Sequence, residues 1–252
     1  MVAGLALCAV LGVVVETQVG GSTRPPTNFR TARPESNIVS GQSTQSGFDF
    51  YAATVRVPTV VVRALPDASA PARVVLGGHN ENGVPQTFLV KGGQRGPDGG
   101  RWYRVLLPIR PNGSTGWVQS SDVEVTGIDY QIVIHLRAFR LDLFEGRQLR
   151  RSMPIGVGTD QTPTPGGEYY IKELLKPPDP NTVYGDYVFG LSGFSNVLTS
   201  WPQGGVLGIH GTNDPAHSIG HQVSHGCIRL TNQDIDQLAG LLPLGTPLEV
   251  EP

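Results

Sequence analysis

Residues 223–230 read Val-Ser-His-Gly-Cys-Ile-Arg-Leu, a string that sets Cys227 two positions after His225. Only one other cysteine, Cys8, occurs in the 252 residues, and it lies inside an uncharged apolar run, VAGLALCAVLGVVV at 2–15. That run falls short of the about 20 apolar residues that span a bilayer, and it has the length and position of a signal-peptide core or an N-terminal anchor. Residues 1–19 are therefore expected to be a signal peptide or a possible membrane anchor, and the chain is expected to be exported to the cell envelope. An exported chain that keeps one cysteine in its folded part cannot rely on disulfides; the thiol is either an intermolecular partner or reactive.

Composition bounds the fold. The 33 glycines and 21 prolines favour turn-rich β architecture over helices. A formal net charge of −2 offers no cationic field for nucleic acid, so no nucleic-acid partner is expected. Residues 20–50, rich in Ser, Thr, Pro and Gly, have too few large apolar side chains to offset their ordering entropy and read as a flexible linker.

From about Ala53 to Val125, short branched and aromatic runs alternate with turns. The pieces Trp102-Tyr103-Arg104-Val105 and Gly116-Trp117-Val118 resemble bacterial SH3-like domains, and this resemblance implies a small β-barrel over 51–126 with affinity for cell-wall material. Trp102, Tyr103 and Trp117 are expected in its core rather than on a binding face. Beyond Tyr130 a second β-rich unit, 128–252, is expected: a hairpin from YQIVIHL and FRLDLFEG, strands at MPIGVG, GEYYIKELL, GGVLGIHG and TPLEV. A short helix over DIDQLAGLL should open on the capping box Thr231-x-x-Asp234. The fold class is mainly β with one short C-terminal helix.

Four of the six histidines fall between His210 and His225. One reading is nucleophilic catalysis, with an imidazole lowering the thiol pKa of Cys227. Gly226 would then leave nearby amides free for an oxyanion, a contact worth about 3 kcal/mol in other enzymes. A second reading is zinc, since His217, His221 and His225 are spaced by four, but the intervening residues make a poor helix. A third is a polar loop around an inert, buried cysteine.

The string His210-Gly211-Thr212-Asn213 … Ser224-His225-Gly226-Cys227 resembles the signature of the L,D-transpeptidases, the YkuD-like catalytic domain. The Thr162-Pro163-Thr164-Pro165-Gly166 turn and the Gly245-Thr246-Pro247 strand are similar to further elements of that family. The resemblance implies a β-sandwich catalytic domain, Cys227 as nucleophile, His210 as its base, and the Gly211 carbonyl orienting the His210 ring. It places His225 near oxyanion and substrate, and it puts Arg229, Ser224 and Gly226 at substrate-binding positions, with Ser224 bracing the loop. Leu230 departs from the family, as do the extra histidines 217 and 221.

The implied activity is cross-linking of peptidoglycan stem peptides through a cysteine thioester, without metal or cofactor and with carbapenem-type inhibitors. Outside the membrane no ATP activates acyl groups, so amide bonds are made by exchange. The alternatives are hydrolysis by the same fold as an L,D-carboxypeptidase, attachment of proteins to the wall, or a non-catalytic wall-binding protein. A papain-like peptidase would need a histidine after Cys227, and none follows. Because all identifiable chemistry lies beyond Tyr130, the N-terminal unit is expected to be a separable anchor.

Overall fold

The computed structural model describes residues 30–31, 49–200 and 204–252. The signal or anchor segment expected at 1–19, and nearly all of the linker expected at 20–50, lie outside them. Within that linker span, strand β1 (Arg30–Thr31) pairs antiparallel with Lys176 and Leu175.

The N-terminal unit contains β2 (Phe50–Val55), β3 (Thr59–Arg63), β4 (Ala72–Gly77), β5 (Thr87–Arg95), β6 (Arg101–Leu106), β7 (Thr115–Gln119) and β8 (Val123–Ile128). They form one sheet in the order β4-β3-β7-β6-β5-β2-β8. Period-two alternation drives it: Val60 and Val62 are sealed from water while Val61 between them is half-buried. Trp102 belongs to the interior, with 1% exposure, whereas Tyr103 and Trp117 are only half-buried.

The C-terminal unit follows with β9 (Tyr130–His135), β10 (Arg140–Glu145), β11 (Gln148–Pro154), β12 (Val157–Gly158), β13 (Gly167–Lys176), β14 (Val188–Phe194) and β15 (Val206–His210). Then come a one-turn helix α1 (Pro215–Ser218), β16 (Gln222–Ser224), β17 (Ile228–Arg229), helix α2 (Asn232–Leu241) and β18 (Pro247–Glu251). The main sheet runs β11-β10-β9-β18-β13-β14-β15-β17, with β1 added on β13, and β12 pairs with β16 in a separate ribbon. The fold is mainly β. The capping box is realised: Thr231 Oγ1 accepts the Asp234 amide at 3.1 Å and opens α2. Ile235, Leu238, Ala239 and Leu242, at helical spacing, bury one face of α2 against the sheet.

Strand β13 serves both units. Tyr169 enters the C-terminal core and Tyr170, its neighbour on the opposite face, enters the N-terminal core; both are 1% exposed or less. Asn112 acts as a side-chain strand partner, donating Nδ2–H to the Phe194 carbonyl at 2.8 Å and accepting the Phe194 amide at 2.9 Å. Arg110 lies over the Phe194 ring, 5.0 Å from its centroid. The N-terminal unit is thus packed onto the C-terminal sheet.

Candidate active site

Strands β15 and β17 run parallel, with Ile209 opposite Ile228 and His210 opposite Arg229. Ile209 and Ile228 point into the core, so alternation sends Gly208, His210, Cys227 and Arg229 to the other face. His210, at the end of β15, and Cys227, just before β17, therefore lie on one face of the sheet, two residues apart in register.

The imidazole of His210 is 3% exposed and donates its Nδ1–H to the Gly211 carbonyl at 2.6 Å. That bond fixes the tautomer, leaving Nε2 as the acceptor. Burial lowers the His210 pKa to about 4; the Gly211 carbonyl opposes the shift and the Arg229 charge adds to it. The ring is neutral at physiological pH. Tyr184 meets it edge-on, centroids 5.2 Å apart.

Cys227 differs from the sequence expectation. Burial raises its thiol pKa, and this outweighs a hydrogen bond from the Gly208 backbone and the nearby Arg229 charge, both of which favour the thiolate. The resting site holds a thiol beside a neutral imidazole, not a thiolate beside an imidazolium. Desolvation wins over the neighbouring imidazole because that imidazole is itself too buried to carry a proton.

The loop before Cys227 is braced from within. Ser224 is 2% exposed; its hydroxyl donates to the Cys227 carbonyl at 2.5 Å and accepts the Gly226 amide at 3.1 Å. One expectation changes as a result: the Gly226 amide is engaged inward by Ser224, so it is not available to an oxyanion. Gly226 itself has φ +114°, a backbone conformation that side chains strain, and an added Cβ would press on Leu207 at 3.3 Å and the Pro163 carbonyl at 3.4 Å. The Thr162–Pro165 turn supplies that wall. Thr162 Oγ1 and the Thr159 amide both donate to the Ser224 carbonyl at 3.1 Å, and Thr164 Oγ1 accepts the Gly158 amide at 3.0 Å.

Arg229 donates from Nη1 to Ser218 Oγ at 3.1 Å, while its Nε is buried without a hydrogen-bond partner. An unfilled buried donor of this kind costs about 1–3 kcal/mol. The three histidines spaced by four do not stack. His217 sits on α1 and bonds Asp214 at 2.8 Å, His221 precedes β16, and the exposed His225 follows it. Among the described residues no group of three or more His, Cys, Asp or Glu side chains is placed to hold a metal ion.

Sequence reasoning missed Gly208, Tyr184, Ser218 and Asn232. Asn232 Oδ1 accepts the Thr212 amide at 3.0 Å and fills the space a Cβ on Gly211 would need, pinning the end of β15. Its only signal was its place directly after the Thr231 cap.

Residues 129–250 match the family model of the L,D-transpeptidase catalytic domain, YkuD. The chain is 38% identical over 156 residues to the YkuD protein of Bacillus licheniformis, an L,D-transpeptidase by name, covering 59% of this chain and 86% of that one. It is 34% identical over 152 residues to the YkuD protein of Bacillus subtilis (strain 168), covering 58% and 84%. A solved structure of L,D-transpeptidase 3 from Mycobacterium tuberculosis with a faropenem-derived adduct aligns with a TM-score of 0.41 and 16% identity, over 66% of this chain and 91% of that one. That likeness is too distant to carry residues across.

Proposed function

Since this chain belongs to the YkuD family of L,D-transpeptidase catalytic domains, we propose that it cross-links peptidoglycan stem peptides through a thioester on Cys227. The observation that supports this reading is the pairing of β15 with β17, which puts a tautomer-fixed His210 on the same sheet face as Cys227. As Sγ attacks the stem-peptide carbonyl, His210 Nε2 takes the thiol proton, and the carbonyl oxygen becomes an oxyanion. Collapse breaks the C–N bond; the departing amine receives the proton from His210 and leaves a thioester. An incoming amine attacks that thioester, gives its proton to Nε2, and the thiolate departs and is reprotonated. A neutral imidazole suits both directions of this shuttle, because it accepts first and donates afterwards.

Arg229 is assigned to a carboxylate or carbonyl of the substrate through its guanidinium charge, and His225, exposed on the loop rim, to the substrate side of the oxyanion. Gly211 positions the His210 ring; Ser224 and Gly226 shape the loop. Reaction of this kind needs no ATP and suits the cell envelope, where the expected export signal would deliver the chain. A strained β-lactam carbonyl of the carbapenem type presents the same electrophile and should acylate the same sulfur. The N-terminal unit is proposed to be SH3-like and to add wall affinity. Incubation of the full chain with a defined tetrapeptide stem, followed by mass spectrometry, separates cross-linked dimer from the tripeptide that hydrolysis would give.

A further inference from the structure

Strands β13 and β14 part company before either ends. Ile171 is opposite Leu191, but the neighbouring stretch of β13, Gly167 to Tyr170, pairs only with β18, while β14 runs on against β15 with Phe194 opposite Val206. Side chains bridge the opening. The Tyr170 amide donates to Ser192 Oγ at 3.1 Å. One step further, Asn112 enters from the turn between β6 and β7 of the N-terminal unit. Its Oδ1 accepts the Phe194 amide at 2.9 Å and its Nδ2 donates to the Phe194 carbonyl at 2.8 Å, so one side-chain amide takes both groups that a neighbouring strand would take. The same amide lies beside the Tyr169 hydroxyl. The turn that carries it is closed on itself, with Ser114 Oγ donating to the Pro111 carbonyl and the Leu107 amide to the Ser114 carbonyl, each at 2.8 Å.

Two lines of contact lead from Asn112 to the nucleophile. The first passes through Phe194 to Val206 and along β15. Leu207, the next residue, has Cδ2 3.3 Å from the position a Gly226 Cβ would take, and the backbone of Gly208 hydrogen-bonds the Cys227 sulfur. Arg110, two residues before Asn112, supports the same line: its Nη2 donates to the Gly204 carbonyl at 2.8 Å, just before β15 begins. The second line passes through Tyr169, whose ring fills the space over Gly193. Its hydroxyl donates to the carbonyls of Pro165 at 3.2 Å and Gly166 at 3.0 Å. Those residues end the turn whose Thr162 Oγ1 holds the Ser224 carbonyl at 3.1 Å and whose Pro163 carbonyl stands 3.4 Å from a Cβ placed on Gly226. Asn112 thus sits where both walls of the Cys227 loop begin.

We infer that Asn112, a residue of the N-terminal unit, is a positioning residue for acyl transfer at Cys227. It touches neither the thiol nor the imidazole; it acts by fixing Phe194 and Tyr169, and through them the two walls that hold the nucleophile loop. Two hydrogen bonds to one backbone residue fix its rotation as well as its place, and reacting atoms tolerate little displacement. The inference rests on the transpeptidase reading above and extends it: the competent site is completed by docking of the N-terminal unit, not by the C-terminal unit alone.

The test measures two rates on the full chain, well below every melting transition: turnover of a tetrapeptide stem and alkylation of Cys227 by iodoacetamide. Asn112→Ala should lower kcat on the order of tenfold, inside the hundredfold that a misplacement of about 1 Å costs, with KM nearly unchanged. Its alkylation should rise about threefold, because a loosened loop exposes the sulfur and frees its thiolate. Tyr169→Phe, which loses a single hydroxyl and keeps the ring, should move both rates the same way by less, and it carries the test if Asn112→Ala does not fold. The double variant should resemble Asn112→Ala alone, since both changes cut one line of contact. Val62→Ala, a cavity in the core of the N-terminal unit away from this turn, lowers stability and should leave both rates as in the wild type. Wild-type kcat in Asn112→Ala and Tyr169→Phe, or an equal loss of kcat in Val62→Ala, overturns the inference. A wild type that turns over no tetrapeptide overturns the transpeptidase reading instead. Alkylation then decides the positioning role: a rise confined to the Asn112 and Tyr169 variants leaves it standing, and unchanged alkylation removes it.

Discussion

His210 donates Nδ1–H to the carbonyl of Gly211, the next residue, at 2.6 Å. So short a local bond fixes the ring without an acidic side chain, so the base acts as a buried, uncharged group. With burial raising the Cys227 thiol pKa, the alkylation rate by iodoacetamide should climb about tenfold per pH unit from pH 6 to about pH 8. A plateau beginning below pH 7 would show a preformed thiolate and contradict the neutral pair.

The same burial makes a stability prediction. His210 stays unprotonated in the folded state until about pH 4, while the unfolded chain takes up its proton near 6.5. The full stabilisation is therefore present above pH 6.5 and is lost as pH falls from 6.5 toward 4, on the order of 3 kcal/mol in all. In denaturant melts, wild type should lose more stability over that window than His210→Gln. Parallel losses in the two proteins would place the protonation elsewhere.

Ser224→Ala removes both the donor to the Cys227 carbonyl and the acceptor for the Gly226 amide. The expected cost is about 1–3 kcal/mol in stability, the scale for a buried donor left unsatisfied. Acyl transfer should fall more steeply than iodoacetamide alkylation, since geometry matters to the former and access to the latter. Equal loss in both assays would mean that the loop brace has no part in positioning the nucleophile.

Tyr170 roots the catalytic sheet in the N-terminal core. The full chain should melt in one transition, and Tyr170→Ala should lower its stability by about 3–5 kcal/mol, the range for emptying a buried aromatic site. Residues 127–252 alone should melt well below the full chain. Two independent transitions in the full chain, with the second unchanged in that fragment, would restore the separable anchor.

Much of this was legible in the chain. The alternation of Leu141-Asp142-Leu143-Phe144, the proline-bounded turn before Gly167 and the Thr231–Asp234 capping box each carry their own local signal, and strands and helix stand there. Strand β14 was not anticipated, because Gly190 and Gly193 break the apolar run of Val188–Phe194 that would announce it. Those glycines exist for close approach: Gly190 makes room for Glu173 and Gly193 for the Tyr169 ring. The site residues were readable by motif, but their ionisation was not, since desolvation depends on what packs over a side chain.

The most direct test is the intact mass of the full chain quenched during turnover of a tetrapeptide stem. The account predicts one added acyl group, the tripeptide lost as a thioester on treatment with hydroxylamine, located on Cys227 and missing from Cys227→Ser. Turnover with no such adduct at any quench time, or an adduct that persists in Cys227→Ser, would contradict it.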